Sequence, residues 1–292
     1  MADAIDLSGI RCLVTGATGA FGRAVAAKLR ACGAELVLTG RSAAALDALA
    51  AALAETPGGA VDTVALDLAE PEAVEQLIGA TGGRLDVLVN NAAIQGPIAP
   101  FAEGDFAAWT ETVRLNLVVP AELCRSVVGA LEARASAHRR RSKIINLSGG
   151  GATGARPNFS AYAVAKTGLV RLTEILAEEL RDRGIDVNAV APGAMPSAMT
   201  RSILAAGPAL CTARELTLAQ QAHGEAGGAT MDRASDLVAY LASSESDGIT
   251  GKLIAAQWDP WPRFGELRDT LAATDIYTLR RIVPADRGQD WS

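Results

Sequence analysis

The chain has 292 residues, 49% of them hydrophobic and 21% charged, which supports a large buried core and excludes wholesale disorder. A formal net charge of −6 with a pI near 5.1 argues against a polyphosphate partner such as nucleic acid. Aromatics are only 4% against 29 glycines, a balance suited to close helix-on-sheet packing rather than a β-sandwich.

Asp3 and Asp6 precede Ile10, so the amino terminus lacks the basic head and apolar run of a secretory leader. No apolar run approaches the roughly 20 residues needed to cross a bilayer. Cys12, Cys32, Cys124 and Cys211 are scattered without a C-x-x-C pair and read as small buried hydrophobes, which fits a reducing, cytoplasmic setting. His138 and His223 have no second ligand near them in sequence, so no metal site is expected.

In chain order, strands are predicted over Arg11–Thr15, Glu35–Thr39, Thr63–Leu66, Asp86–Asn90, Lys143–Leu147, Asp186–Val190 and Lys252–Ala256. Between them apolar residues recur at helical spacing, as in Phe21, Val25 and Leu29, or Leu169, Leu172, Leu176 and Leu180. This alternation predicts βαβ units and an α/β fold, a doubly wound parallel sheet covered by helices on both faces.

The first strand runs straight into Thr15-Gly16-Ala17-Thr18-Gly19-Ala20-Phe21-Gly22, which opens the first helix. Glycines in that setting permit a tight turn and close approach of a pyrophosphate, whose charge the helix amino terminus favours. The second strand ends in Gly40-Arg41, where an enzyme selective for NAD usually presents a carboxylate. A guanidinium suits a 2′-phosphate instead, so NADP(H) is favoured, with NAD(H) the alternative; Arg41 stacking on adenine or capping a helix is the plainer reading. The run His138-Arg139-Arg140-Arg141-Ser142-Lys143 has no interleaved aromatics and reads as a solvated helix end rather than a nucleic-acid patch.

Tyr162 and Lys166 stand four residues apart in a helical stretch, on one face and about 6 Å apart along the axis. A phenol of pKa near 10 needs a nearby positive charge to work as an acid–base catalyst at neutral pH, and the lysine is placed to lower it. Residues 197–231 mix Gly, Pro, Thr and Gln and read as a long loop with short helices, a substrate wall offering Met195, Met199, Ile203 and Leu204. The layout is a dinucleotide-binding and catalytic domain over residues 1–257. An extension over 258–292 holds Trp258, Trp261 and Trp291 and packs on that domain or on a neighbouring subunit.

Together these segments resemble the short-chain dehydrogenase/reductase family, in its compact branch with one Rossmann-type domain, over about residues 8–256. The resemblance implies that Gly16, Thr18, Gly19, Phe21 and Gly22 form the cofactor turn, and that Asp67 and Leu68 contact the adenine. It implies that Asn90, Asn91 and Ala92 steady the sheet and border the adenosine. Pro192, Gly193, Met195 and Ser197 would sit beside the nicotinamide. Tyr162 would act as general acid/base, Lys166 would orient the ribose, and Asn116 would support a water relay to the lysine.

The chain departs from the family pattern in three places. Ala20 replaces the middle glycine of the turn. The position 13 before Tyr162, where the family places a serine, is Gly149, and Ser148 is the residue expected to take its role, with Thr153 and Ser160 as lesser candidates. Gln257-Trp258-Asp259-Pro260 replaces the usual Asp-Gly-Gly turn.

The function implied is hydride transfer between NADP(H) and the carbonyl or secondary alcohol of a small molecule, with no membrane or nucleic-acid partner. The family also implies a homodimer or homotetramer built through helices near residues 101–133 and 158–182. Two alternatives are weighed: an epimerase or dehydratase that uses the hydride transiently, and a dinucleotide-binding protein with impaired catalysis marked by Gly149.

Overall fold

The computed structural model describes residues 5–224 and 226–291. Asp3 of the amino-terminal reading, Glu225 within the 197–231 segment, and Ser292 at the end of the extension lie outside the described residues.

Seven parallel strands form one sheet: β1 (Arg11–Val14), β2 (Glu35–Gly40), β3 (Val61–Ala65), β4 (Val87–Asn90), β5 (Ser142–Leu147), β6 (Ile185–Ala191) and β7 (Leu253–Ala255). Their order is β3-β2-β1-β4-β5-β6-β7, so the winding reverses between β1 and β4. All seven predicted strands are present, with ends shifted by at most two residues. Strand alternation divides the core in two. Cys12, Val14, Leu36, Leu38, Val87, Val89, Ile145 and Leu147 face one cluster, and Leu13, Val37, Leu88, Ile144 and Val187 face the other.

Helices cover both faces. On the first lie α1 (Ala20–Ala31), α2 (Ala43–Ala54) and, numbered in chain order, α9 (Ala226–Ala242). On the second lie α3 (Ala73–Ala80), α5 (Val119–His138) and α6 (Ser160–Glu179). A short α4 (Phe106–Val113) runs into α5 through a π-helical turn over Arg114–Val118 that contains the buried Asn116. No helix among the described residues is long and apolar enough to cross a membrane.

One expectation needs correction in part. The basic run is a solvated helix end only over His138 and Arg139, which are exposed at the end of α5. Arg140 pairs with Asp86 at 2.7 Å and Arg141 with Asp186 at 2.7 Å, while Lys143, only 2% exposed, bridges Asp186 and Asp247 at 2.9 and 2.6 Å. The reason is placement: the run enters β5 at the amino edge of the sheet, where the buried carboxylates of Asp86 and Asp186 require cations.

The 197–231 segment has short helices within it, as expected. It holds α7 (Ala198–Ala206) and α8 (Ala213–Ala222), each opened by a reciprocal cap, Ser197 with Thr200 and Thr212 with Glu215.

The segment after β7 folds back on the sheet. Trp261, Phe264 and Leu271 are buried in the first cluster, whereas Trp258 and Trp291 are exposed. The outward-facing N–H groups of the edge strand β7 are both satisfied by this segment: Leu253 N donates to the Tyr277 carbonyl at 2.8 Å and Ala255 N to the Asp259 carboxylate at 2.6 Å.

Candidate active site

The winding reversal opens a crevice at the carboxyl ends of β1 and β4, where open α/β sheets bind ligands. It is fixed from both sides. The backbone N–H groups of Asn91 and Ala92 both donate to Thr15 Oγ1 at 3.0 Å, and Asn91 Nδ2 donates to the Thr15 and Gly16 carbonyls at 2.8 and 3.2 Å. Gly16 has φ +63° and lies so close to β4 that a Cβ would stand 2.8 Å from Ala92 Cα. At Gly22 a Cβ would come 2.3 Å from the Gly16 carbonyl oxygen, so this glycine allows α1 to press against the turn.

Gly19 caps α1 without a side-chain partner, leaving the first turn's N–H groups uncovered by any side chain. Thr18 and Phe21 flank the turn, half-buried, and Thr18 touches Gly40 at the end of β2, beyond which Arg41 is exposed. Asp67 Oδ1 accepts from Ala69 N at 3.0 Å, next to the buried Leu68. This cradle of close-packed glycines and an unshielded helix terminus fits an extended dinucleotide phosphate.

Asn90 is buried away from the crevice surface, donating to Asn146 Oδ1 at 2.8 Å, and Asn146 in turn donates to Thr173 Oγ1 at 2.9 Å. It ties β4, β5 and α6 together. Asn116 uses its amide twice on one backbone: Oδ1 accepts from Ile94 N at 2.9 Å and Nδ2 donates to Ile94 O at 2.8 Å. It thereby anchors the π-turn to the chain leaving β4.

On α6, Tyr162 and Lys166 are both buried, 8% and 2% exposed, on the face turned toward the end of β5. Lys166 Nζ donates to the Leu147 carbonyl at 2.6 Å and stands 5.8 Å from the Tyr162 ring centroid. Burial pulls the lysine down to about 8. Burial also pushes the Tyr162 phenol up, and the nearby charge that opposes this shift is Arg156, whose Cζ lies 6.0 Å from the ring.

Gly149 lies against the tyrosine: a Cβ there would stand 2.5 Å from Tyr162 Oη. Ser148, one residue earlier, is 4% exposed and its hydroxyl has no hydrogen-bond partner among the described residues. Thr153 is exposed, and Ser160 accepts from Trp109 Nε1 at 3.0 Å, so neither presents a free buried hydroxyl.

Pro192 and Gly193 follow β6, with Gly193 at φ +94° beside Gln257. Gln257 Nε2 donates to the Pro192 and Thr230 carbonyls at 3.2 and 3.0 Å, joining this turn to the chain after β7. Met195 is buried in the first cluster and Ser197 caps α7. Phe159, Ile203, Cys211 and Ala219 form a separate small cluster that seats α7 and α8 beside the tyrosine's end of α6.

The structure therefore gathers Tyr162, Lys166, Gly149 and the end of β5 in one place, and the glycine turn, Asn91 and Ala92 in the adjoining crevice. Residues that sequence reasoning passed over are Arg156 and Gln257. Gln257 was visible only as a departure from the expected turn, and Arg156 carried no signal in the sequence. Among the described residues, no group of three or more His, Cys, Asp or Glu is placed to hold a metal ion.

Comparison with known proteins agrees with this geometry. The short chain dehydrogenase family model matches residues 11–207. The 3-oxoacyl-(acyl-carrier-protein) reductase of Escherichia coli strain K12 is 34% identical over 250 residues, covering 86% of this chain and 96% of that protein. Gluconate 5-dehydrogenase of Gluconobacter oxydans is 33% identical over 208 residues, 70% of this chain and 78% of that protein. Among solved structures, the Pseudomonas aeruginosa RhlG/NADP active-site complex superposes with a TM-score of 0.73 at 27% identity, over 87% of this chain and 97% of that one.

Proposed function

Because the chain belongs to the short-chain dehydrogenase/reductase family and is an NAD(P)-dependent oxidoreductase, we propose that it reduces the carbonyl, or oxidises the secondary alcohol, of a small molecule with NADP(H). Tyr162 is the general acid/base of that reaction. The observation that carries this reading is the buried Tyr162–Lys166 pair on α6, set at the end of β5 beside the dinucleotide crevice.

The residues that would hold the dinucleotide are Gly16, Thr18, Gly19, Phe21 and Gly22 around the phosphates, and Asp67, Leu68 and Ala92 toward the adenosine; Asn90, expected among them, is buried on Asn146 and supports that edge from inside the sheet. Arg41 would take the 2′-phosphate, and Pro192, Gly193, Met195 and Ser197 the nicotinamide end. The bound nicotinamide would supply or accept the hydride. Tyr162, kept neutral by burial, donates its phenolic proton to the carbonyl oxygen in reduction and withdraws it in oxidation. Ser148 has a buried hydroxyl with unspent donor capacity and is assigned to polarise the same oxygen. Lys166 orients the ribose. Asn116 holds the π-turn in place and supports the route by which the proton on Tyr162 is replaced.

A second copy of the chain would pack on the helices near residues 101–133 and 158–182, where Val118 and Val164 are 52% and 51% exposed. The experiment for the reading as a whole is Tyr162→Phe. NADPH-linked turnover should disappear while NADPH binding, followed by fluorescence, stays within a few-fold. Retained turnover would remove Tyr162 from the chemistry, and NADPH binding without turnover by the unaltered protein on any carbonyl would favour a dinucleotide-binding role.

A further inference from the structure

Arg156 lies in the turn between the glycine run and α6. Its guanidinium stacks on Phe159, with Cζ 3.7 Å from the ring centroid, and its side chain is only 15% exposed. Nε donates to Glu215 Oε1 of α8 at 2.8 Å, and the other Glu215 oxygen is held by the Thr212 N–H at 2.9 Å. Arg156 Nη1 and Nη2 are not sealed from solvent, so both are open to a ligand. Glu215 engages one edge of the guanidinium; no hydrogen bond or ion pair among the described residues engages Nη1 or Nη2. The guanidinium lies over the glycine run: the atoms nearest a Cβ built at Gly150 are Arg156 Nη1, Cζ and Nε, at 3.7, 3.8 and 3.9 Å. Gly150 adjoins Gly149, which touches the Tyr162 hydroxyl. A half-used guanidinium fork and the proton donor therefore share one wall, and the glycines leave no side chain standing between them.

We propose that Arg156 binds a carboxylate of the substrate, making the enzyme selective for oxo acids whose carboxylate lies one or two carbons from the reacting carbonyl. The proposal rests on the carbonyl reductase reading of this site and adds the substrate class to it. The planar fork matches a carboxylate with two parallel hydrogen bonds, and a guanidinium already clamped by Phe159 and Glu215 loses little rotamer freedom when it makes them. The short spacing follows from the closeness of Arg156 to the tyrosine ring. A purely structural strap between α8 and α6 would need only the Nε edge, which Glu215 already takes.

The test compares the unaltered enzyme with Arg156→Gln and Arg156→Lys, using NADPH and short oxo acids paired with their methyl esters, acetoacetate and methyl acetoacetate among them. The unaltered enzyme should favour the acid in kcat/KM. Arg156→Gln should lose that preference by about 10- to 100-fold, chiefly through KM for the acid, and Arg156→Lys should keep part of it. Equal losses on acid and ester, or a preference of the unaltered enzyme for the ester, overturn the proposal. Binding of the acid to the NADP-loaded protein, followed by tryptophan fluorescence, separates this from the reductase reading. Acid binding that weakens in Arg156→Gln, with no turnover of either compound by the unaltered enzyme, sinks the reductase reading alone. Acid binding that does not change in Arg156→Gln sinks the Arg156 site alone.

Discussion

The Tyr162 hydroxyl stands 2.5 Å from the point a first side-chain carbon would occupy at Gly149, closer than real Cβ atoms come to any neighbour. The backbone at Gly149 does not itself demand glycine, because its φ is not in the left-handed region. What demands it is the phenol. Gly149→Ser is therefore expected to displace Tyr162 and lower kcat by about tenfold or more. It should also destabilise the fold by about 1–3 kcal/mol through overpacking. In a Tyr162→Phe background, which removes the oxygen in closest approach, the destabilisation should shrink, so a double-mutant cycle on thermal or urea unfolding reads the contact directly. A Gly149→Ser enzyme of unchanged rate and stability would show that the tyrosine is free to move.

Burial pushes the Tyr162 phenol above its ordinary value and pulls Lys166 down to about 8. The phenol is then protonated through neutral pH, the form that donates to a carbonyl. Carbonyl reduction should be nearly flat from roughly pH 6 to 8, while alcohol oxidation, which needs the phenolate, should climb across that span. Lys166 gives a separate signal in stability. Its folded value lies below the unfolded one, so the unfolded chain binds more protons above about pH 8 and the fold gains stability as pH rises from there. Relative to Lys166→Met, the unaltered protein should become more stable between roughly pH 8 and 10, measured by denaturant unfolding at each pH. A constant difference would mean that the ammonium is not desolvated.

Most of the fold was legible because parallel strands buried on both faces leave continuous apolar runs, and the glycine turn and the Tyr162/Lys166 spacing sit at fixed offsets from those runs. Periodicity marks which residues are buried, but it carries no information on pairing across the sheet. That is why Arg140, Arg141 and Lys143 looked like a solvated helix end: Asp86 and Asp186, the carboxylates that bury them, come from neighbouring strands. Arg156 was missed for the same reason, since Phe159 is local but Glu215 is 59 residues away in sequence.

Arg41 is exposed at the end of β2, where the proposed preference for NADP(H) can be tested. If its guanidinium holds the 2′-phosphate, Arg41→Ala should weaken NADPH binding by about 10- to 100-fold and leave NADH nearly unchanged, as for loss of a charge-assisted pair. Fluorescence titration with both nucleotides decides the matter. Equal weakening of both would assign Arg41 to stacking on the adenine.

The segment after β7 packs buried aromatics against the domain. Phe264 is fully buried, sits 5.5 Å from the Tyr277 ring, and shares the first core cluster with Trp261, whose Nε1 donates to the Ala256 carbonyl at 3.1 Å. Phe264→Ala should cost about 3–5 kcal/mol, the usual range for emptying a buried aromatic site. Removing everything after Gln257 should do more than create a cavity. It strips the Tyr277 carbonyl and the Asp259 carboxylate from the edge of β7, leaving the Leu253 and Ala255 N–H groups to pair with another chain. The truncated protein is therefore expected to melt lower and to self-associate, seen as a rise in light scattering below the melting transition. A truncated chain that stays monodisperse with an unchanged Tm would show that the segment lies on the domain without supporting it.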